Sequence, residues 1–86
     1  MITNHVVVEK LSAYLRHQYS LADLVSWAEE AMMEGEFDSS ELETLRDIVS
    51  RIGVADVRAF GLTWEDCEGF LRRLGYRVQV EVLAAN

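Results

Sequence analysis

Three times in 86 residues a hydroxyl side chain stands three positions ahead of an acid and opens an apolar run that closes on a glycine. Ser20 and Asp23 open the stretch ending at Gly35. Ser40 and Glu43 open the one ending at Gly53, and Thr63 and Asp66 the one ending at Gly75. A hydroxyl at a helix N-cap accepts a bond from the amide three residues on, and the acid there reaches back to the cap amide. Glycine just past the last turn takes the left-handed conformation that stops a helix. With no proline to interrupt the pattern, these signals confine the chain to short helices joined by tight turns.

The apolar residues follow the same period. Leu21, Leu24, Val25, Ala28, Ala31 and Met32 form one stripe, and Leu42, Leu45, Ile48, Val49 and Ile52 a second. Trp64, Cys67, Phe70, Leu71 and Leu74 form a third. An earlier helix is expected from about Asn4 to Gln18, with Val7, Val8, Leu11, Tyr14 and Leu15 inward, and a short one over VADVRAF, ending at Gly61. In GYRVQVEVL the rhythm changes: Tyr76, Val78, Val80 and Val82 alternate with Arg77, Gln79 and Glu81, the period of a strand. A lone strand leaves its edge unpaired. Its mate is either the N-terminal NHVVVE segment or the same strand of a second copy, and because HVVV also reads as a helix start, the second copy is favoured.

The length fits one domain, residues 1–86, and half of the residues are hydrophobic, enough for a core. The expected fold is mostly α (α+β): four to five short helices in a compact bundle with one C-terminal β-strand. MITNHVVVEK has no basic leader before a long apolar run, and no apolar run is long enough to span a bilayer. Cys67 is the sole cysteine, so neither an internal disulfide nor a multi-cysteine zinc site is available. A reducing cytoplasm is the simplest location.

The formal charge of −7 is unevenly distributed. Residues 1–28 and 48–86 each balance, whereas residues 29–47 hold Glu29, Glu30, Glu34, Glu36, Asp38, Glu41, Glu43 and Asp47 against Arg46 alone. Such clustering repels phosphate backbones and suits a basic partner. Trp27 lies about 100° around its helix from the stripe centre, with Asp23, Glu30 and Glu34 on its side. An aromatic among carboxylates suits a basic protein partner as an anchor, with Glu36 and Asp38 extending the surface. The alternative is that Trp27 seals the core edge against the first helix. Glu43 and Asp47 have Arg46 and Arg51 at helical pairing distance.

Other chemistry finds little support. Glu34, Glu36 and Asp38 fall at positions 1, 3 and 5 of a calcium-loop pattern, but its glycine stands second rather than sixth and Leu45 replaces the bidentate acid at position twelve. His5 and His17 lack the spacing of a metal pair. His17 suits a helix-terminal cation. Cys67 sits among apolar neighbours as an inert thiol. No metal, cofactor or enzymatic activity is expected.

VRAFGLTWEDCEGF sets Val57 four residues before Gly61, with Cys67 and Phe70 six and nine after it, the spacing of a helix-turn-helix core. Together with the tail FLRRLGYRVQVEV it resembles small helix-turn-helix antitoxin and repressor domains over about twenty residues. That resemblance implies a strand pairing across a dimer through Val78, Val80 and Val82, and DNA contact through the last helix. The first turn of that helix departs from the pattern: Glu65, Asp66 and Glu68 face where phosphates would lie, and Arg72 and Arg73 come late. In size, helicity and acidity the chain is also similar to bacterial immunity proteins, which cover basic nuclease toxins.

The function expected first is a non-enzymatic acidic interaction module, an immunity- or antitoxin-type inhibitor of a basic protein, acting as a homodimer. A helix-turn-helix DNA regulator is the alternative, and a structural or assembly domain the third reading.

Overall fold

The computed structural model describes residues 1–57 and 61–85. Among these residues four α-helices follow in order, α1 (Asn4–Leu15), α2 (Leu21–Glu34), α3 (Leu42–Gly53) and α4 (Trp64–Arg73), with a 3-10 turn (Ser39–Glu41) before α3. α2 packs most extensively on α3, and α1 lies across α2, α3 and α4. One apolar cluster draws on all four helices: Val7 and Leu11, Leu24, Ala28 and Ala31, Leu45, Ile48, Val49 and Ile52, and Cys67 and Leu71, closed by Leu74. Each large aliphatic buried there contributes about 1.5–3 kcal/mol.

The caps explain most boundaries. Thr3 caps α1 by accepting from the Val6 amide at 3.3 Å, and Ser20 caps α2 by accepting from the Asp23 amide at 3.0 Å. At α4 the full reciprocal box forms. Thr63 Oγ1 accepts from the Asp66 amide at 3.1 Å, and the Asp66 carboxylate accepts from the Thr63 amide at 2.9 Å. The box expected from Ser40 and Glu43 does not form. Asp38 takes its place, accepting from the Ser40 amide and opening the 3-10 turn, so α3 begins after Glu41 without a side-chain cap.

Two helices end in the same hydrogen-bonded motif. At α4 the Gly75 amide bonds Arg72 O at 3.0 Å and the Tyr76 amide bonds Leu71 O at 2.8 Å, with Gly75 at φ 91°. At α1 the His17 amide bonds Tyr14 O at 3.1 Å and the Gln18 amide bonds Ala13 O at 2.9 Å, and His17 itself occupies the left-handed position at φ 62°. Both are Schellman closures. The first helix therefore stops at Leu15, short of the expected Gln18. α2 ends differently: Gly35 is extended rather than left-handed, with φ −77° and ψ 147°. Its glycine is required by space, because a Cβ there would lie 2.5 Å from Ala31 O and 3.1 Å from Ile2 Cγ1. The extended exit lets Ile2 pair with Phe37 in a parallel bridge, the Asp38 amide bonding Ile2 O at 2.9 Å.

The expected C-terminal strand is absent: among the described residues no strand forms, and Val78, Val80 and Val82 lie in irregular backbone. The physical reason is the missing mate. NHVVVE forms the first turns of α1, so its backbone groups are bonded within a helix. Of the short helix expected over VADVRAF, residues 54–57 form turns and a bend, while Arg58, Ala59 and Phe60 lie outside the described residues. Arg51 ties the two sides of this connection, donating to Gly61 O at 3.0 Å and standing 3.6 Å from the Asp66 carboxylate. Leu42 and Trp64, expected inside, are 40% and 44% exposed.

Candidate functional site

The acids of residues 29–47 separate into distinct environments. Glu30 and Glu34, one turn apart on the last half of α2, are exposed and line a shallow open depression with Ile2, Trp27, Ala31 and Gly35. The depression exists because Gly35 lets the chain turn tightly and Ile2 is bonded across the exit. Glu36 follows, exposed on the connection, with Glu41 and Glu43 at the start of α3. Glu30, Glu34, Glu36, Glu41 and Glu43 make no ion pair among the described residues. The local Glu43–Arg46 pair suggested by spacing does not form.

Other acids leave this group. Glu29 directs its stem past Gly53 at the end of α3. Asp38 is half-buried, and its carboxylate accepts from the Ser40 amide at 3.1 Å and hydroxyl at 2.9 Å. Asp47 bonds Arg73 of α4 at 2.7 Å. Asp23, at the start of α2, lines a separate hollow with Tyr14, His17, Tyr19 and Leu62. The structure thus brings together Trp27, Glu30 and Glu34, continues to Glu36 along the chain, and sets Asp23 and Asp38 apart.

Trp27 is half-buried and packs on the core. The Lys10 ammonium from α1 lies 6.0 Å from the centroid of its ring and 5.1 Å from that of Tyr19. Trp27 therefore seals the α1–α2 edge and also borders the depression. The large apolar side chain most open beside the acids is Met33, 83% exposed and three residues from Glu30. Sequence reasoning passed over it, although it is the apolar residue of α2's last turn that stands off the helix's inward stripe. An exposed, flexible thioether among carboxylates offers adaptable apolar contact.

The remaining chemistry is quiet. Burial and the neighbouring Asp66 charge push the Cys67 thiol up to about 11, so it is almost wholly protonated at neutral pH. Hydrogen bonds from Thr63, with the Arg51 charge, hold the Asp66 carboxyl below its ordinary 3.8. The two arginines that come late in the last helix stand against acids: Arg72 lies 3.4 Å from Glu68, and Arg73 bonds Asp47 at 2.7 Å. Among the described residues no three His, Cys, Asp or Glu side chains converge to hold a metal ion, and no helix is long and apolar enough to cross a membrane.

Compared with known proteins, the chain matches no family model, no curated protein and no solved structure.

Proposed function

We propose that the protein is a non-enzymatic interaction module that docks a basic protein through the α2 exit, acting as an immunity- or antitoxin-type inhibitor. The observation that carries this reading is the set of exposed glutamates, Glu30, Glu34, Glu36, Glu41 and Glu43, that stand without ion pairs among the described residues from the end of α2 to the start of α3. Their potential falls on solvent instead of on the protein's own arginines. It would steer a cationic partner and fix its orientation, with Met33 and the half-buried Trp27 supplying apolar contact. Capture of a partner by the wild-type protein, compared with the Glu30→Gln/Glu34→Gln/Glu36→Gln variant, tests it. Strong loss in the variant and a steep fall with added salt are expected. Equal capture by both would remove the proposal.

A separate observation favours a homodimer formed through the C-terminal segment. Val80, Val82 and Leu83 are 64%, 90% and 76% exposed, and beyond the Tyr76 amide no backbone hydrogen bond reaches residues 77–85 among the described residues. An exposed apolar segment with unpaired backbone is a template for pairing with another chain. Native mass measurement reports the copy number directly: two chains support this reading, and one chain at all concentrations ends it.

A further inference from the structure

We propose that two copies pair their C-terminal segments as antiparallel strands in one register, with Gln79 on the two-fold axis. The inference rests on the homodimer reading and adds the partner, the direction and the alignment.

The argument starts from the order of residues in YRVQVEV. Read outward from Gln79, valine stands on both sides, then Arg77 on one and Glu81 on the other, then Tyr76 against Val82. On an extended chain, residues four apart are about 13 Å apart, so Arg77 and Glu81 cannot pair with each other. Neither makes an ion pair among the described residues. Antiparallel pairing about Gln79 sets Arg77 opposite the partner subunit's Glu81 and Glu81 opposite the partner subunit's Arg77. It also sets Val78 opposite the partner subunit's Val80, and Tyr76 opposite the partner subunit's Val82. Two opposite-charge pairs then lie on one face and the apolar residues of both strands on the other.

Competing alignments fail on the same chemistry. A shift by one residue places the valines of one strand opposite the polar residues of the other. Registers centred on Arg77 or Glu81 bring like charges together, and parallel pairing in register stacks arginine on arginine and glutamate on glutamate. Alignments centred on Val78 or Val80 leave Arg77 and Glu81 without opposite charges across the pair.

The body of the protein leaves room for such a ribbon. Val78 already packs on the core, and the groove beside the segment is walled by Val8 and Leu15 of α1, by Trp64 and Leu71 of α4, and by residues 76–81 of the segment itself, its polar side chains included. In the paired ribbon the apolar face turns toward the two bodies, and Arg77, Gln79 and Glu81, which line the groove in the single chain, turn to the outer face.

The test uses the full chain. Cysteine introduced by Gln79→Cys should give a disulfide-linked dimer on mild oxidation, while Arg77→Cys and Glu81→Cys singly should not, because the two copies of either residue are then about 13 Å apart. The buried Cys67 does not compete. Arg77→Glu should raise the dimer dissociation constant about tenfold, and Arg77→Glu/Glu81→Arg should restore it. These residues are exposed, so circular dichroism should show every variant folded. A dimer by native mass in which Arg77→Cys or Glu81→Cys alone cross-links and Gln79→Cys does not overturns the register and leaves the homodimer standing. Failure of the double reversal to restore association also overturns the register. A monomer by native mass overturns both.

Discussion

On the α3–α4 side of the molecule, Asp47 holds Arg73 at 2.7 Å and Asp66 bonds the Thr63 amide while facing Arg51. On the α2 side, Glu30, Glu34 and Glu36 stand in solvent with no cation against them among the described residues. Both regions use carboxylates at helix ends and on exposed faces, yet one spends its charge inside the fold and the other leaves it outward. The difference lies in where the arginines are. Arg51 and Arg73 each reach an acid on the other of the two helices α3 and α4, whereas the exit of α2 meets the uncharged Ile2 and Phe37. A charged group matters to the fold only where the backbone brings a partner to it. Elsewhere it is available to another molecule.

That contrast can be broken at either region. The largest effect is expected at the bend that shapes the α2 side. Gly35→Ala forces a Cβ onto Ala31 O and should cost about 2–3 kcal/mol in denaturant unfolding. It should also weaken partner capture, although no carboxylate is removed. On the α4 side, Thr63→Ala removes the hydroxyl half of the capping box and should cost about 1 kcal/mol.

The same box predicts an acid response. Asp66 titrates below 3.8 in the folded protein. Its stabilisation is therefore fully present above the unfolded value and is lost as pH falls through the folded one. Urea midpoints measured from pH 5 down to pH 2 should fall for the wild type, and less steeply for Asp66→Asn. Arg73→Ala breaks a solvent-exposed pair and should cost at most about 1 kcal/mol. The smallest change is expected for Glu30→Gln/Glu34→Gln/Glu36→Gln, within about 0.5 kcal/mol of wild type in stability, despite the large expected loss in binding. A destabilisation well beyond that would mean these acids serve the fold, and would erase the contrast.

The sequence made helices legible wherever the signal and its partner lie within a few residues. Thr63 and Asp66 satisfy each other across one turn, and Gly75 closes α4 with its own last carbonyls, so those boundaries stood where the residues placed them. Ser40 and Glu43 have the same spacing, but Asp38 reaches the Ser40 amide first, and two local motifs in competition cannot be ranked from spacing. Features made between distant segments had no local mark. The Ile2–Phe37 bridge is a backbone pairing that any side chains could accompany, and it explains Gly35 by contact where its helix-end position had suggested a left-handed turn. Trp27 is visible in the sequence as an aromatic beside the stripe, but Lys10, whose ammonium stands 6.0 Å from its ring centroid, comes from α1. The alternation in residues 76–82 is genuine in the sequence, yet a strand needs a second strand, and the segment that was its candidate within the chain is helical. For the acids, clustering along the chain was visible. Which ones would point away, as Glu29 does, or be taken up by Ser40 or Arg73, depended on packing.

His17, which closes α1 with a positive φ, inverts the usual rules of tolerance at an exposed position. A library randomised at residue 17 and sorted for folded protein should enrich glycine and asparagine and purge valine, isoleucine and threonine, which fit that backbone geometry worst. Selection there would track the shape of the residue near its Cα and not its polarity, so hydrophilic substitutions that look harmless would divide sharply into winners and losers.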